Sequence, residues 1–230
     1  MYDLLYTNNR NPRKSTTTRM KIPFRRLPSC FAPPDLDEPE EGDEMGSKVV
    51  QSLIVGLGNP GKKYLATRHS IGMVACNKLA EHYNVQWEYH RKYKAYTSTI
   101  ITPRKHVYLL KSNHLMNVNG KSVKKAAHHL NIGIGDIYLL HDDLERAVGK
   151  VSWKAGGSAG GHNGVKSVVA CLGDDKVRRL RIGIDRPPKD AGHEDVSDYV
   201  LSEFDSSEEG AVEDVLEEVV KILKDEIIET

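Results

Sequence analysis

From residue 48 onward, short apolar runs ending in glycine or polar residues alternate with segments whose apolar residues recur at helical spacing. Val49 to Gly56 is the first such run and has the length of a buried strand. Ile71, Val74, Ala75, Lys78, Leu79 and His82 follow at the spacing of one helix face. Tyr96 to Ile101 and Val107 to Leu110 read as strands around a turn at Pro103. Val123 to Leu130 reads as a helix after Asn119-Gly120. Ile137 to Leu140 and Val148 to Trp153 read as strands. A glycine-rich loop over 156–164 then enters a helix through Val165, Val168, Val169 and Leu172, and Leu180 to Ile184 is a further strand. Val212, Val215, Leu216, Val219, Leu223 and Ile227 mark an amphipathic C-terminal helix. This alternation predicts one α/β domain over 48–230, with a mixed, mostly parallel central sheet flanked by helices.

Residues 1–47 lack any apolar period and contain Pro12, Pro23, Pro28, Pro33, Pro34 and Pro39. Such a segment buries too little to offset its ordering entropy, so a tail is expected. Its first part is rich in Arg, Ser and Thr and poor in acids, as a mitochondrial transit peptide would be. The alternative is a disordered extension with no address. Cytoplasmic and mitochondrial locations therefore both stay open. Secretion is not expected, because there is no apolar core of a signal peptide. No stretch reaches the roughly 18–20 apolar residues that span a bilayer, so no membrane partner is expected. The three cysteines are far apart, with no C-x-x-C, which disfavours a disulfide scaffold or a cysteine zinc site.

The net charge of +1 conceals a strong internal division. Residues 30–47 hold seven acids and no base, and 205–230 hold ten acids and two lysines. The region between, 48–204, holds 24 Lys/Arg against 14 Asp/Glu. That surplus favours a polyanionic partner, nucleic acid first, although lysines that merely keep a domain soluble would look similar.

Polar residues concentrate after the predicted strands, where open α/β sheets place their binding crevices. Gly56-Leu57-Gly58-Asn59-Pro60-Gly61 is followed by Tyr64, Thr67, Arg68 and His69. It matches G-x-G-x-x-G, but Pro60 interrupts the turn and the acid at the right distance, Glu81, falls inside a helix. A dinucleotide site is disfavoured on both counts. Met116-Asn117-Val118-Asn119-Gly120 is a polar corner before a helix, readable also as a turn and cap. His141-Asp142-Asp143 could orient a histidine, hold a metal or simply cap a turn. Gly156 to Gly164, with His162 and Asn163 at its end, lets backbone approach a ligand and offers free N–H groups at a helix start. A flexible linker is the plainer alternative. No H-E-x-x-H or similar ligand spacing occurs, so metal catalysis is not expected. There is no G-x-S-x-G for a serine nucleophile. His82, His128 and His129 read as surface residues of helices. His69 remains, with a possible aspartate elsewhere, suited to a general base acting on water.

Together these segments resemble the bacterial-type peptidyl-tRNA hydrolase family over roughly residues 50–204. Gly-Leu-Gly-Asn-Pro-Gly with Tyr64 and Thr67-Arg68-His69 resembles the family's opening motif. Met116-Asn117, His141-Asp142, Gly160-Gly161-His162-Asn163-Gly164 and Arg179-Leu180-Arg181-Ile182-Gly183-Ile184 follow in the family's order. The resemblance implies a peptidyl-tRNA hydrolase-like fold and hydrolysis of the ester between a peptide and the 3′-terminal ribose of tRNA. It implies His69 as the base that activates water and Asp142 as the group that orients it. Asn59 and Asn117 would hold the peptide, the attacking water or the ester. Asn163, beside His162 and Gly160, would position substrate near the terminal adenosine. Tyr64 would lie near the cleft, and Lys154 and Arg181 would clamp the tRNA 5′-phosphate. The resemblance implies neither metal nor organic cofactor, a monomer, and peptidyl-tRNA, through its acceptor stem and 3′ end, as partner. The alternative is a non-catalytic RNA- or protein-binding module on the same fold. Ser70 departs from the family's usual Asn after the histidine, and 112–115 lack its usual proline and aromatic. The effect of Ser70 on one substrate hydrogen bond is therefore open, as are peptide preference and rate.

Overall fold

The computed structural model describes residues 49–187 and 192–230. The tail expected over residues 1–47 lies outside them. Seven strands form one sheet: β1 (Val50–Gly56), β2 (Glu88–His90), β3 (Ala95–Ile101), β4 (Lys105–Ser112), β5 (Ile137–Asp143), β6 (Val151–Lys154) and β7 (Arg178–Gly183). Their order across the sheet is β2-β3-β4-β1-β5-β7-β6. The central four run parallel, and antiparallel strands close both edges. Five helices accompany it: α1 (Ile71–His82), α2 (Gly120–His129), α3 (Asn163–Leu172), α4 (His193–Leu201) and α5 (Glu209–Leu223). The expected mixed, mostly parallel α/β architecture is therefore present.

β1 is buried on both faces, which is why it reads as a continuous apolar run. Ile54 faces a core shared with Ile71, Leu79, Leu140, Leu180 and the α5 residues Val215, Val219 and Leu223. Leu53 and Val55 face the other core, with Val123 and Ala126 of α2 and Val165 and Val168 of α3. Helices α1 and α5 thus cover one face, and α2 and α3 the other. Each fully buried Leu, Ile or Val contributes about 1.5–3 kcal/mol, so both faces are needed to hold the sheet.

Several boundaries differ from the sequence reading, and three of them have a clear local reason. β5 continues past Leu140 to Asp143, because His141, Asp142 and Asp143 pair with Arg181, Ile182 and Gly183 of β7. Ladder hydrogen bonds override the polarity of those side chains. β6 begins at Val151 rather than Val148, after Gly149 turns the chain with φ +82°. The C-terminal helix ends at Leu223, and a π turn over Lys224–Ile228 still buries Ile227 and Ile228. β2 and α4 escape notice in the sequence. β2 is only three residues long, and α4 sets few apolar residues among acids.

Candidate active site

The chain passes from β1 to the β4 side of the sheet and then returns to β5 on β1's other side. Such a reversal opens a crevice beyond the carboxyl ends of the strands. Asn59 follows β1, Met116-Asn117 follows β4, and Asp142 lies near the end of β5. His69 reaches the same place from the 3-10 turn Arg68–Ser70, directly before α1. Gly72 permits the approach: a Cβ there would meet the Leu140 carbonyl oxygen at 2.1 Å. Only a residue without a side chain lets α1 start against β5 and set its preceding turn beside Asp142.

His69 Nδ1 lies 2.9 Å and 3.0 Å from the two carboxylate oxygens of Asp142. His162 Nε2 lies 2.8 Å from Asp142 Oδ1. Hydrogen positions follow from the network. His162 stands at the N-cap of α3, where its Nδ1 accepts from the backbone N–H groups of Gly164 and Val165 at 3.1 Å and 3.2 Å. Its proton therefore sits on Nε2 and is donated to Asp142. An ionised carboxylate only accepts, so His69 donates through Nδ1 and leaves the Nε2 lone pair free. Asp142 is 4% exposed. Burial alone would raise its carboxyl, but the attraction and hydrogen bonds of His162 and His69 outweigh that and hold it well below the usual carboxylate range. The His69 and His162 rings sit 4.8 Å apart, tilted by 40°.

The amides occupy distinct positions around this group. Asn59 is buried, and its Oδ1 accepts the Met116 N–H at 2.8 Å. It ties the end of β1 to the 3-10 turn Met116–Val118, which carries Asn117. Asn117 and Asn163 are exposed. Tyr64 lies on the preceding 3-10 turn Lys62–Tyr64, half-buried, under Lys63.

A family model described as peptidyl-tRNA hydrolase matches residues 53–230. The chain belongs to the peptidyl-tRNA hydrolase family. A peptidyl-tRNA hydrolase of Rickettsia peacockii is 38% identical over 156 residues, which span 68% of this chain and 84% of that relative. One from Bacillus cereus is 42% identical over 68% of this chain and 82% of the relative. The crystal structure of peptidyl-tRNA hydrolase from Acinetobacter baumannii superposes with a TM-score of 0.71 at 32% identity, covering 77% of this chain and 88% of that one.

In this peptidyl-tRNA hydrolase the glycine loop is anchored from below. Arg179, 1% exposed, donates to the carbonyls of Gly156, Gly157 (2.8 Å) and Ser158 (3.0 Å). Lys154 Nζ donates to the same Ser158 carbonyl at 3.0 Å. Gly160 is exposed in this loop and has φ +57°, a conformation that favours glycine. Arg181 lies on the same face of β7 as Arg179, 3.2 Å from Asp143 Oδ2 and 3.2 Å from Ser152 Oγ. Arg179 was legible only as part of a motif. Its buried role follows from three loop carbonyls that nothing in the sequence marks.

Arg68 is a second residue whose role sequence reasoning missed. Its guanidinium is buried between the rings of Tyr199 at 4.5 Å and Phe204 at 4.7 Å. It forms a fork with Glu208, through Nη1 at 2.9 Å and Nη2 at 2.5 Å, and donates to the Ile184 carbonyl at 3.2 Å. The Arg68 N–H also donates to the Ser202 carbonyl at 2.9 Å, and Thr67 bridges to Glu203. The turn that carries His69 is thus pinned to residues 199–208.

His69, Asp142 and His162 place one donor atom each within 4.8 Å of one another, a set that could hold a metal by residue type. Their hydrogen bonds describe a proton-bearing relay instead. A metal ion bound through His162 Nε2 would have to displace the proton donated there to Asp142.

His141, behind Asp142, is buried and donates from Nδ1 to the Asp142 carbonyl at 2.7 Å. Burial, with His162 beside it, pushes its imidazole down to about 3. The folded chain therefore keeps His141 neutral from its ordinary value of 6.5 down to about 3, while the unfolded chain takes up a proton there. The stability it contributes is complete above 6.5 and is lost as the pH falls toward 3. The slope is at most about 1.4 kcal/mol per pH unit. His141→Asn, which keeps a donor near the Nδ1 position, is expected to flatten the loss of urea midpoint between about pH 6.5 and about pH 4. An unchanged slope in the variant would contradict the assignment.

Proposed function

We infer that this peptidyl-tRNA hydrolase cleaves the ester between the peptide and the 3′-terminal ribose of tRNA by general-base catalysis at His69. The carrying observation is that Asp142 accepts a hydrogen bond from His69 Nδ1 at 2.9 Å, which directs the Nε2 lone pair away from the carboxylate. A water held at Nε2 loses a proton to it as its oxygen attacks the ester carbonyl. The imidazolium that forms is stabilised by Asp142, whose carboxylate is kept ionised by His162 as well. The proton then passes to the departing ribose oxygen, and a free peptide carboxylate and tRNA result.

Asn59, Asn117 and Asn163 line this path as amides, which donate and accept without titrating. Asn117 and Asn163, being exposed, meet the peptide and the ester, and an amide N–H from either stabilises the developing oxyanion. Asn59, fixed by Met116, holds the rim that carries Asn117. His162 acts through Asp142, since both its ring nitrogens are engaged within the fold. Lys154 and Arg181 supply the positive edge for the 5′-phosphate. Phosphate contacts of this kind carry no sequence information, which suits an enzyme that accepts many tRNAs.

The direct test is release of labelled N-blocked amino acid from charged tRNA by purified protein with chelator present. Release at a rate proportional to enzyme is expected. No release, with tRNA still bound, would favour the non-catalytic module.

A further inference from the structure

Between Glu88 and Asp136 the chain contains no Asp or Glu, yet it holds nine Lys/Arg and five His. Much of that stretch folds into one surface. Lys121, Lys124, Lys125, His128 and His129 form the exposed face of α2, opposite the buried Ser122, Val123, Ala126 and Ala127. The turn between β2 and β3 adds exposed Arg91, Lys92 and Lys94 beside it. The two parts are tied together. The Lys94 carbonyl accepts from Ser122 Oγ at 3.1 Å and from the Asn113 N–H at 2.9 Å, and Lys92 Nζ donates to His129 Nδ1 at 2.6 Å.

A helix face that is merely solvated usually mixes signs, so that i,i+4 pairs support it. Here Lys121 and Lys125 are like charges at i,i+4, and α2 carries no acid in its first turn to complement the helix dipole. Among the described residues, no ion pair involves Arg91, Lys92, Lys94, Lys121, Lys124 or Lys125. Burial first, and then the charges of Lys94, Lys121 and Lys125, lower the His114 imidazole. The contrast is with the opposite face, where the acids of α5 pair with Lys78.

The position of this surface is also informative. α2 starts three residues after Asn117 and packs against α3, which begins beside His162. Arg179 and Arg181 point to this same face of the sheet, because Leu180 and Ile182 between and beyond them face the α1–α5 core. So does Lys154, paired with Arg179. From β4 to β6 is four strand steps, roughly 19 Å at about 4.8 Å per step. An RNA helix lying over α3 can therefore reach both sets of cations.

We propose that the outer face of α2, with the turn Arg91–Lys94, is a second phosphate-binding surface that grips the double-helical arm of the substrate tRNA. It rests on the reading that tRNA is the substrate, and extends contact well beyond the cleft and the Lys154–Arg181 edge. Five lysines face outward there, and α2 from Lys121 to His129 is about 12 Å long at 1.5 Å per residue, enough to follow two or three phosphates of one strand.

The test replaces Lys121, Lys124 and Lys125 together by Gln in the full chain. Binding of uncharged tRNA is measured against salt, and turnover is measured on charged tRNA and on an N-blocked aminoacyl-adenosine that lacks the helical arm. Expected are a roughly tenfold weaker tRNA affinity, a salt slope smaller by about two, and unchanged turnover of the minimal substrate. Replacing the three by Arg should keep wild-type binding. The proposal is overturned by an unchanged affinity and slope. It is overturned too by equal loss of binding to a single-stranded RNA of the same length, or by equal loss of turnover on the minimal substrate. Should the triple variant fail to fold, Lys92→Gln with Lys94→Gln on the turn reads the same surface. Wild-type protein that binds tRNA with this slope but cleaves neither substrate would refute the catalytic reading alone.

Discussion

His69→Ala is expected to lower turnover of peptidyl-tRNA by about 10²–10⁴-fold while leaving affinity for tRNA nearly intact. Among the described residues of the cleft, the His69 imidazole is the one whose second nitrogen is not used by the fold. Asp142 fixes its first nitrogen, and His162 has both of its own committed. No neighbour can therefore take over the proton without breaking the α3 cap or the buried carboxylate pair. Binding relies on cations elsewhere, so kcat and KM should separate, with kcat carrying the loss. Single-turnover cleavage of N-blocked aminoacyl-tRNA gives the first number and filter binding the second. Cleavage within a few-fold of wild type would end the assignment of His69 as base.

Arg68→Ala is expected to cost about 3 kcal/mol of stability, because it removes a buried cation and leaves Glu208 without its fork. It should also reduce kcat on a minimal substrate by about 10²-fold, since a displacement near 1 Å at a reacting group has that effect. Arg68 touches no substrate in this account; it acts through the adjacent His69 as a positioning residue. Two readouts separate positioning from bulk instability. Below the unfolding range, kcat should fall with KM of the minimal substrate unchanged. Arg68→Lys should recover part of the stability but little of the rate, because an ammonium cannot form the fork or stack between Tyr199 and Phe204. Full activity in folded Arg68→Ala would remove the residue from catalysis.

Much of this molecule was legible before its structure. The apolar run of β1 and the periodicity of α1, α3 and α5 follow from burial, which periodicity reports well. The polar segments that meet in the cleft were visible as motifs, and His69 with Asp142 could be paired through resemblance. Their meeting could not be derived from spacing, since 73 residues separate them. Other features depend on contacts that leave no periodic trace. Arg68 looks like one more surface base in the sequence, yet it is buried through partners supplied by later segments. His162 looks like a ligand to substrate, yet its ring caps α3 and holds Asp142. His141–Asp143 looks like a turn because it is polar, but β7 recruits it into the sheet.

The pin between Arg68 and Glu208 spans 140 positions of the chain. While this enzyme is still being made, the chain up to Asn163 already holds the imidazole, the amides and the carboxylate. The clasp that steadies the imidazole's turn arrives only when Glu208 follows, 140 positions after Arg68. A copy interrupted between Asn163 and Glu208 thus carries every reactive group but lacks the brace for one of them, and hydrolytic competence waits on the later segment.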